Sequence, residues 1–193
     1  MTTANKITIL RILLVPFFVV QVLYYADTGN EWYRISALVS FAFAAISDGV
    51  DGYIARRYNQ RSELGAVLDP LADKLLLVSG VLLLSMNNAP HLPRIPVYVT
   101  AIIISRDVLL IIGLVVIHLV CGKVTFHPIW TSKIATVLQM ATVLWILLKW
   151  NPLIFNWCAA LTALTTGISG VLYVLVGIRH LSASPSSAPS PRP

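Results

Sequence analysis

The chain has 193 residues, of which 57% are hydrophobic and only 11% are charged, and its mean hydropathy is +0.79. Its 14 Lys and Arg residues against 8 Asp and Glu residues give a formal net charge of +6. A soluble domain usually carries about 25% charged residues. This composition excludes an ordinary soluble domain and indicates a membrane protein.

Six apolar segments follow one another along the chain, most of them near the length of about 20 residues that a helix needs to cross a bilayer. The predicted spans are 7–26, 33–55, 65–86, 96–120, 131–149 and 153–180. Short stretches rich in Gly, Pro, Asn and charged residues separate them. The sequence predicts an all-α, polytopic membrane protein with six transmembrane helices. They form one membrane domain, 1–181, followed by a Ser/Pro-rich tail, 182–193, that we expect to be disordered.

Basic residues are distributed unequally between the two ends of these spans. Short loops with Lys and Arg stay on the cytoplasmic side, so the distribution places both termini inside. The inner set is Lys6, Arg11, Arg56, Arg57, Arg61, Lys74, Lys123, Lys133, Arg179 and Arg192, and the outer set is Arg34, Arg94 and Lys149. The predicted location is the inner or equivalent cell membrane, as a multi-pass protein.

Four aspartates fall within the stretch SDGVDGYIARRYNQRSELGAVLDPLADK, which joins the second and third spans. Asp48 and Asp51 are three positions apart, and Asp69 and Asp73 are four apart, spacings that place each pair on one helix face. The short connection between the spans makes them antiparallel neighbours. The sequence therefore predicts four carboxylates close together at the cytoplasmic end of the bundle.

Four carboxylates in a poorly solvated place would repel one another and mostly protonate unless a cation held them ionised. Oxygen ligands suit Mg²⁺, Mn²⁺ or Ca²⁺, and the absence of paired His and Cys argues against zinc or copper. We therefore predict a divalent metal site, with two ions. The small residues Gly52, Ala55 and Gly65 would let helices approach closely or leave room for a flat ligand group. The alternative, four solvated helix-end charges, conflicts with the cost of charge at membrane depth.

The same stretch resembles the signature of the CDP-alcohol phosphatidyltransferase family, D-x-x-D-G-x-x-A-R, eight residues, then G-x-x-x-D-x-x-x-D. The matching positions are Asp48, Asp51, Gly52, Ala55, Arg56, Gly65, Asp69 and Asp73. The early segment NKITILR and the six spans also look like the family, so the resemblance covers most of the chain.

The resemblance implies transfer of a phosphatidyl group from CDP-diacylglycerol to an alcohol, with release of CMP and with Mg²⁺ or Mn²⁺ as cofactor. It implies that Asp48, Asp51 and Asp69 bind metal, and that Asp73 is the catalytic base and also reaches a metal. The residues implied to bind the CDP group are Gly52, Ala55, Arg56, Gly65 and Thr8. A homodimer among membrane lipids is implied as well, with no nucleic acid partner.

Two later segments bear on the acceptor alcohol, IIISRDVLLIIG at 102–113 and TSKIATVLQM at 131–140. Arg106 either pairs with Asp107 or binds an anion, and Lys133 is either a snorkelling anchor or a ligand for an acceptor phosphate. Gln139 is the third candidate for acceptor binding. Both segments resemble the branch that contains phosphatidylglycerophosphate synthases and eukaryotic-type cardiolipin synthases.

Both acceptors of that branch, glycerol 3-phosphate and phosphatidylglycerol, stay open. No further Arg follows in VLLIIGLVVIHLV, a departure from the phosphatidylglycerophosphate synthases, whereas QRSELGAVLDPLADK, ISRDVLLI and TALTTGISG are similar to cardiolipin synthases. Either reaction makes an anionic glycerophospholipid at the cytoplasmic face. The alternatives from other classes are a membrane cation transporter that uses the clustered Asp residues and a non-catalytic assembly partner.

Overall fold

The computed structural model of the chain describes residues 3–58, 63–86, 88, 90–121 and 130–182, with side chains described for 8–47, 72–86, 88, 90–113, 130–151 and 153–176. Over these residues the fold is entirely helical. The helices are α1 (Thr3–Thr28), α2 (Glu31–Tyr58), α3 (Glu63–Ser85), α4 (Val97–Cys121), α5 (Trp130–Leu147) and α6 (Pro152–Ser182).

The six predicted helices are confirmed, and their ends agree with the predicted spans to within a few residues. The helix α5 stops at Leu147, two residues early, because Lys149 takes a left-handed backbone with φ 52°. Arg34 of α2 then donates from Nη1 to the Leu147 carbonyl oxygen at 2.5 Å, which satisfies a carbonyl at the end of α5. The predicted tail falls outside the described residues, except that Ser182 ends α6.

The surface of the bundle is that of a membrane protein. Over the residues described, three stretches are long and apolar enough to cross a bilayer, namely Thr8–Thr28, Trp130–Leu147 and Leu153–Val176. Large apolar side chains point outward, and more than 60% of the area of Leu13, Val39, Ile111 and Leu164 is exposed. A soluble protein rarely exposes so much contiguous apolar surface, so these faces lie against lipid. A crossing by all six helices stays a prediction.

The helices pack as two groups. The helix α1 lies against α2 and α3, which defines an N-terminal half, and α6 lies against α4 and α5, which defines a C-terminal half. The two halves meet over shorter stretches, where α5 contacts α2 and α3 and where α3 contacts α4. Because the motif residues belong to the N-terminal half and the acceptor candidates to the other, the site depends on how the halves are joined.

Apolar side chains fill the space between the halves. The rings of Phe18 on α1 and Phe41 on α2 lie 5.4 Å apart. Gly80 on α3 faces Phe41 and Val143 of α5, and a Cβ there would lie 3.4 to 3.5 Å from their side chains. Phe18, Phe41 and Val143 are fully buried. These side chains form an apolar core that joins the two halves.

A group of polar side chains joins the halves at the end of the bundle where α2 begins. Glu31 accepts hydrogen bonds from Arg34 Nε at 2.5 Å, from Lys149 Nζ at 2.6 Å and from the Tyr25 hydroxyl at 3.1 Å. We call these four residues the Glu31 cluster. The Lys149 and Arg34 hydrogen bonds lower the pKa of Glu31 to about 2, and the bond to Glu31 raises the pKa of Lys149. The cluster ties the α1–α2 turn to the α5–α6 turn.

Candidate active site

Both acidic pairs of the motif lie on continuous helix. Asp48 and Asp51 are on the second half of α2, and Asp69 and Asp73 are on the first half of α3. The two helices contact one another and are separated by only four residues. The helical spacing assumed for each pair is therefore present in the backbone.

Among the motif residues, only Asp73 has a described side chain. It is half-buried and is engaged in an interaction. The side chains of the other seven lie outside the described part of the chain, namely Asp48, Asp51, Gly52, Ala55, Arg56, Gly65 and Asp69. Their convergence, and their roles, stay predictions.

The helix α1, which packs against the motif helices, contributes two buried polar residues. Thr8 and Arg11 are each only 1% exposed, and each is engaged in an interaction. They are three residues apart, so they share one face of α1, and α1 packs against α2 and α3. A guanidinium that is fully buried in a membrane helix is a candidate for a functional position. Thr8 was expected at the CDP group, and Arg11 joins the candidate site from the structure.

A buried ionic network, built from residues that follow the motif in the sequence, links α3, α4, α5 and α6. Asp107 on α4 accepts from Lys74 Nζ on α3 at 2.5 Å and from Arg106 Nη1 at 2.8 Å, both at Oδ1. Arg106 Nη2 also donates to the hydroxyl of Ser132 on α5 and to that of Ser169 on α6, the latter at 3.4 Å. Arg106 thus makes the ion pair with Asp107 that the sequence left open. Whether it also binds an anion stays a prediction.

The other two acceptor candidates lie in different environments. Lys133 is exposed at the start of α5, with its ammonium 5.6 Å from the centre of the Trp130 ring, which suits a snorkelling anchor. Gln139 is fully buried and donates from Nε2 to the hydroxyl of Thr166 at 3.2 Å. Within the described part of the chain, the structure joins Arg106 and Gln139 to the α5–α6 interface and leaves Lys133 at the surface.

The chemistry of the motif suits a hard divalent cation. Four carboxylates supply only oxygen ligands, which Mg²⁺ and Mn²⁺ prefer. No group of three His, Cys, Asp or Glu side chains occurs among those that the structure describes, and three of the four motif carboxylates lie outside that set. The residues therefore fit the metal by donor type and helix position.

Two residues of this region were not singled out from the sequence as site residues. Lys74 follows Asp73 and was counted only as an inner basic residue, and Ser169 was only part of a segment resemblance. A signal for Lys74 was its place directly after a motif aspartate and before the apolar run that completes α3. No sequence signal pairs Lys74 with Asp107, which is 33 residues away.

Comparison with known proteins agrees with the motif. The family model of CDP-alcohol phosphatidyltransferase matches residues 1–169. A probable phosphatidylglycerophosphate synthase of Mycobacterium tuberculosis is 34% identical over 182 residues, which cover 92% of this chain and 82% of that protein. A CDP-diacylglycerol--glycerol-3-phosphate 3-phosphatidyltransferase of Escherichia coli is 32% identical over 179 residues, 92% of each chain. A Shigella flexneri protein with the same name shows the same identity and coverage.

The match spans most of the chain, and it includes the whole acidic motif on α2 and α3 and both buried polar residues of α1. The chain belongs to the CDP-alcohol phosphatidyltransferase family.

Proposed function

We propose that the protein transfers the phosphatidyl group of CDP-diacylglycerol to a free hydroxyl of glycerol 3-phosphate, with release of CMP. The observation that carries this proposal is the complete eight-position motif on two consecutive, contacting helices. Support for the acceptor comes from relatives that cover 92% of the chain and whose names specify glycerol 3-phosphate or phosphatidylglycerophosphate.

The motif residues divide the chemistry among them. Asp48, Asp51 and Asp69 would hold a divalent ion, with Asp73 within reach, and the ion would neutralise charge on the pyrophosphate. Asp73 takes the proton of the acceptor hydroxyl, as a positioned carboxylate base can. The acceptor oxygen then bonds to the phosphorus next to diacylglycerol, and the bond from that phosphorus to the oxygen of CMP breaks.

The remaining predicted residues bind the two substrates. Arg56 adds a charge-assisted contact to phosphate, and small residues leave room for the nucleotide. The residues proposed for the CDP group are Thr8, Gly52, Ala55, Arg56 and Gly65. The residues proposed for the acceptor are Arg106, Lys133 and Gln139.

Phosphatidylglycerol is the second candidate acceptor. The apolar run after Asp107 contains no further Arg to bind a free phosphate monoester. A groove of about 400 Å³ between α4 and α6 also passes Arg106, and its lining includes Ala101, Leu109, Gly170 and Val174. Such a groove would suit the acyl chain of a lipid acceptor, and equally a chain of the lipid donor.

The function is tested with purified protein, CDP-diacylglycerol and either acceptor, followed by CMP release and thin-layer separation of the products. We expect phosphatidylglycerophosphate from glycerol 3-phosphate, activity that is lost on chelation, and recovery with Mg²⁺ or Mn²⁺. Asp73→Asn and Asp73→Ala should lower kcat by about 100-fold or more. Asp27→Asn, at an exposed acid on α1, is the matched control and should keep full activity.

Several outcomes would count against the proposal. Product from phosphatidylglycerol alone would establish the second acceptor, and full turnover in Asp73→Ala would remove the assigned base. Flux of divalent ions into liposomes without CDP-diacylglycerol would favour the transporter alternative, and a protein inactive with every acceptor would favour the assembly partner.

We also propose that the protein is a homodimer in the inner or equivalent membrane, with the site open to the cytoplasm. The family resemblance supports the dimer, and the basic residues around α2 and α3 support the orientation. Crosslinking in native membranes should capture a dimer of this chain, and a solely monomeric species would contradict it.

A further inference from the structure

The ion pair between Lys74 and Asp107 connects the two halves of the bundle beside the motif. The Nζ to Oδ1 distance is 2.5 Å, and the pair joins α3 of the N-terminal half to α4 of the C-terminal half. Both helices pack mainly against other partners, α3 against α1 and α4 against α6. A directional contact therefore links α3 and α4 where the packing between them is sparse.

Because it is largely buried, the Lys74–Asp107 ion pair favours one arrangement of α3 relative to α4. The side chain of Asp107 is 7% exposed, that of Arg106 is 3% exposed and that of Lys74 is 34% exposed. Removing such charges from water is costly, and their mutual attraction need not repay that cost, so the pair is poorly explained as a simple source of stability. A shift of either helix would leave the Asp107 carboxylate with one cation fewer, in a place where unpaired charge is expensive.

Both ends of the pair reach residues of the proposed reaction. Lys74 directly follows Asp73 on the same rigid helix, so a fixed Lys74 fixes the depth and rotation of Asp73. Asp107 also binds Arg106, which holds Ser132 of α5 and Ser169 of α6. Asp107 is thus the point at which α4, α5 and α6 are locked to α3.

We propose that Lys74 and Asp107 are positioning residues, whose ion pair aligns Asp73 with the acceptor held by the C-terminal half. This inference rests on the proposed function. The donor residues all lie on α1, α2 and α3, and the acceptor candidates all lie on α4 and α5. Loss of the pair should therefore leave each half able to bind its own substrate and should impair only their alignment.

The test compares kcat and KM for both substrates in the full-length protein. Lys74→Met should lower kcat by about 10- to 100-fold, because a small misplacement of reacting groups has this effect, while both KM values change by less than about threefold. Lys74→Arg keeps a cation within reach of Asp107 and should recover most of the rate. The double variant Lys74→Met, Asp107→Asn should have a kcat only slightly below that of Asp107→Asn alone, because both substitutions remove the same ion pair.

Lys149→Met is the matched control, since it removes a Lys–carboxylate pair between the same halves at the other end of the bundle. It should lower the melting temperature and leave kcat unchanged. A Lys74→Met protein with the same kcat as Lys149→Met would overturn the proposal. So would an effect of Lys74→Met on KM alone, and so would a double variant in which the two losses of kcat add in full. If Asp107→Asn fails to fold, the comparison of Lys74→Met with Lys74→Arg decides alone. A wild-type protein inactive with both acceptors would instead refute the proposed function.

Discussion

The environment of each charged side chain decides what it does in this protein. Arg106 and Lys133 come from two segments that resemble the same family branch, and the sequence offered a structural and a binding role for each. Arg106 is buried against one carboxylate and two hydroxyls, whereas Lys133 is exposed beside an aromatic ring. The difference arises because α4 packs on α6 at Arg106, while Lys133 lies at the exposed start of α5.

Gly29 offers a test of the α1–α2 turn at the level of one residue. It has a φ of +68°, and a Cβ there would lie 2.4 Å from Cε1 of His91. Gly29→Ala should therefore destabilise the protein by at least about 1 kcal/mol, the cost of a left-handed backbone with a side chain, and the clash adds to this. Thermal unfolding in detergent would measure the change.

Gly113→Ala is the control for that substitution. Gly113 is on α4, and nothing lies within 4 Å of an added Cβ. Alanine is the better helix former by up to about 1 kcal/mol, so this variant should melt at the wild-type temperature or above. An unchanged melting temperature in Gly29→Ala would show that the turn tolerates a side chain.

At the scale of helices, local sequence signals were sufficient to predict where each helix begins and ends to within a few residues. They were insufficient to predict the contacts that the helices and turns make with one another. Breakers and apolar length predicted all six helices. Where α5 ends early at Leu147, Arg34 donates to the Leu147 carbonyl, 113 residues away along the chain. The turns after α1 and α5 are likewise held by the Glu31 cluster, which brings together residues 118 apart.

The Glu31 cluster predicts a pH dependence of stability. The pKa of Glu31 is lowered from 4.5 to about 2 in the folded protein. The ionised Glu31 therefore contributes its full stabilisation of the folded state above the pKa of the unfolded chain. This stabilisation is lost as the pH falls through the pKa of the folded protein. The raised pKa of Lys149 keeps that partner charged until the pH exceeds its ordinary value of 10.5. Glu31→Gln should therefore melt below wild type by an amount that is constant near neutral pH and shrinks between about pH 4.5 and pH 2.

Melting curves of wild type and Glu31→Gln across this pH range would measure the effect. The control is Asp27→Asn, which changes an exposed acid near the end of α1 that is not part of the Glu31 cluster. That control should melt close to the wild type at neutral pH, where Glu31→Gln melts lower. A difference between wild type and Glu31→Gln that stayed constant down to about pH 2 would contradict the ionic origin of the contribution.

At the scale of the whole molecule, the residues proposed to bind the donor and those proposed to bind the acceptor lie on separate groups of helices. The motif and the buried residues of α1 lie in one half, and Arg106 and Gln139 lie in the other. Directional polar contacts join the halves near both ends, the Lys74–Asp107 pair and the Glu31 cluster, and an apolar core lies between them. Under the proposed function, a substitution between the halves should change their alignment while each half still binds its own substrate.

The predicted orientation in the membrane can be tested with single cysteines, in a background with Cys121 and Cys158 replaced by Ser. Asn30→Cys lies in the exposed α1–α2 turn, and Asn59→Cys lies between α2 and α3 among the basic residues. A maleimide that cannot cross membranes should label position 30 in intact cells and position 59 only after permeabilisation. The reverse pattern would place the acidic motif outside the cell.

The sequence by itself determined the all-helical membrane class, the helix boundaries and the acidic motif, because apolar length, breakers and helical spacing act over short distances along the chain. Only the tertiary structure decided which partner Arg106 takes, that Lys74 reaches Asp107, and that the helices form two halves. Those contacts join residues 26 to 63 positions apart, apart from the adjacent pair Arg106 and Asp107. They exist because burial makes unpaired charge expensive, and which charges are buried follows from how the helices pack.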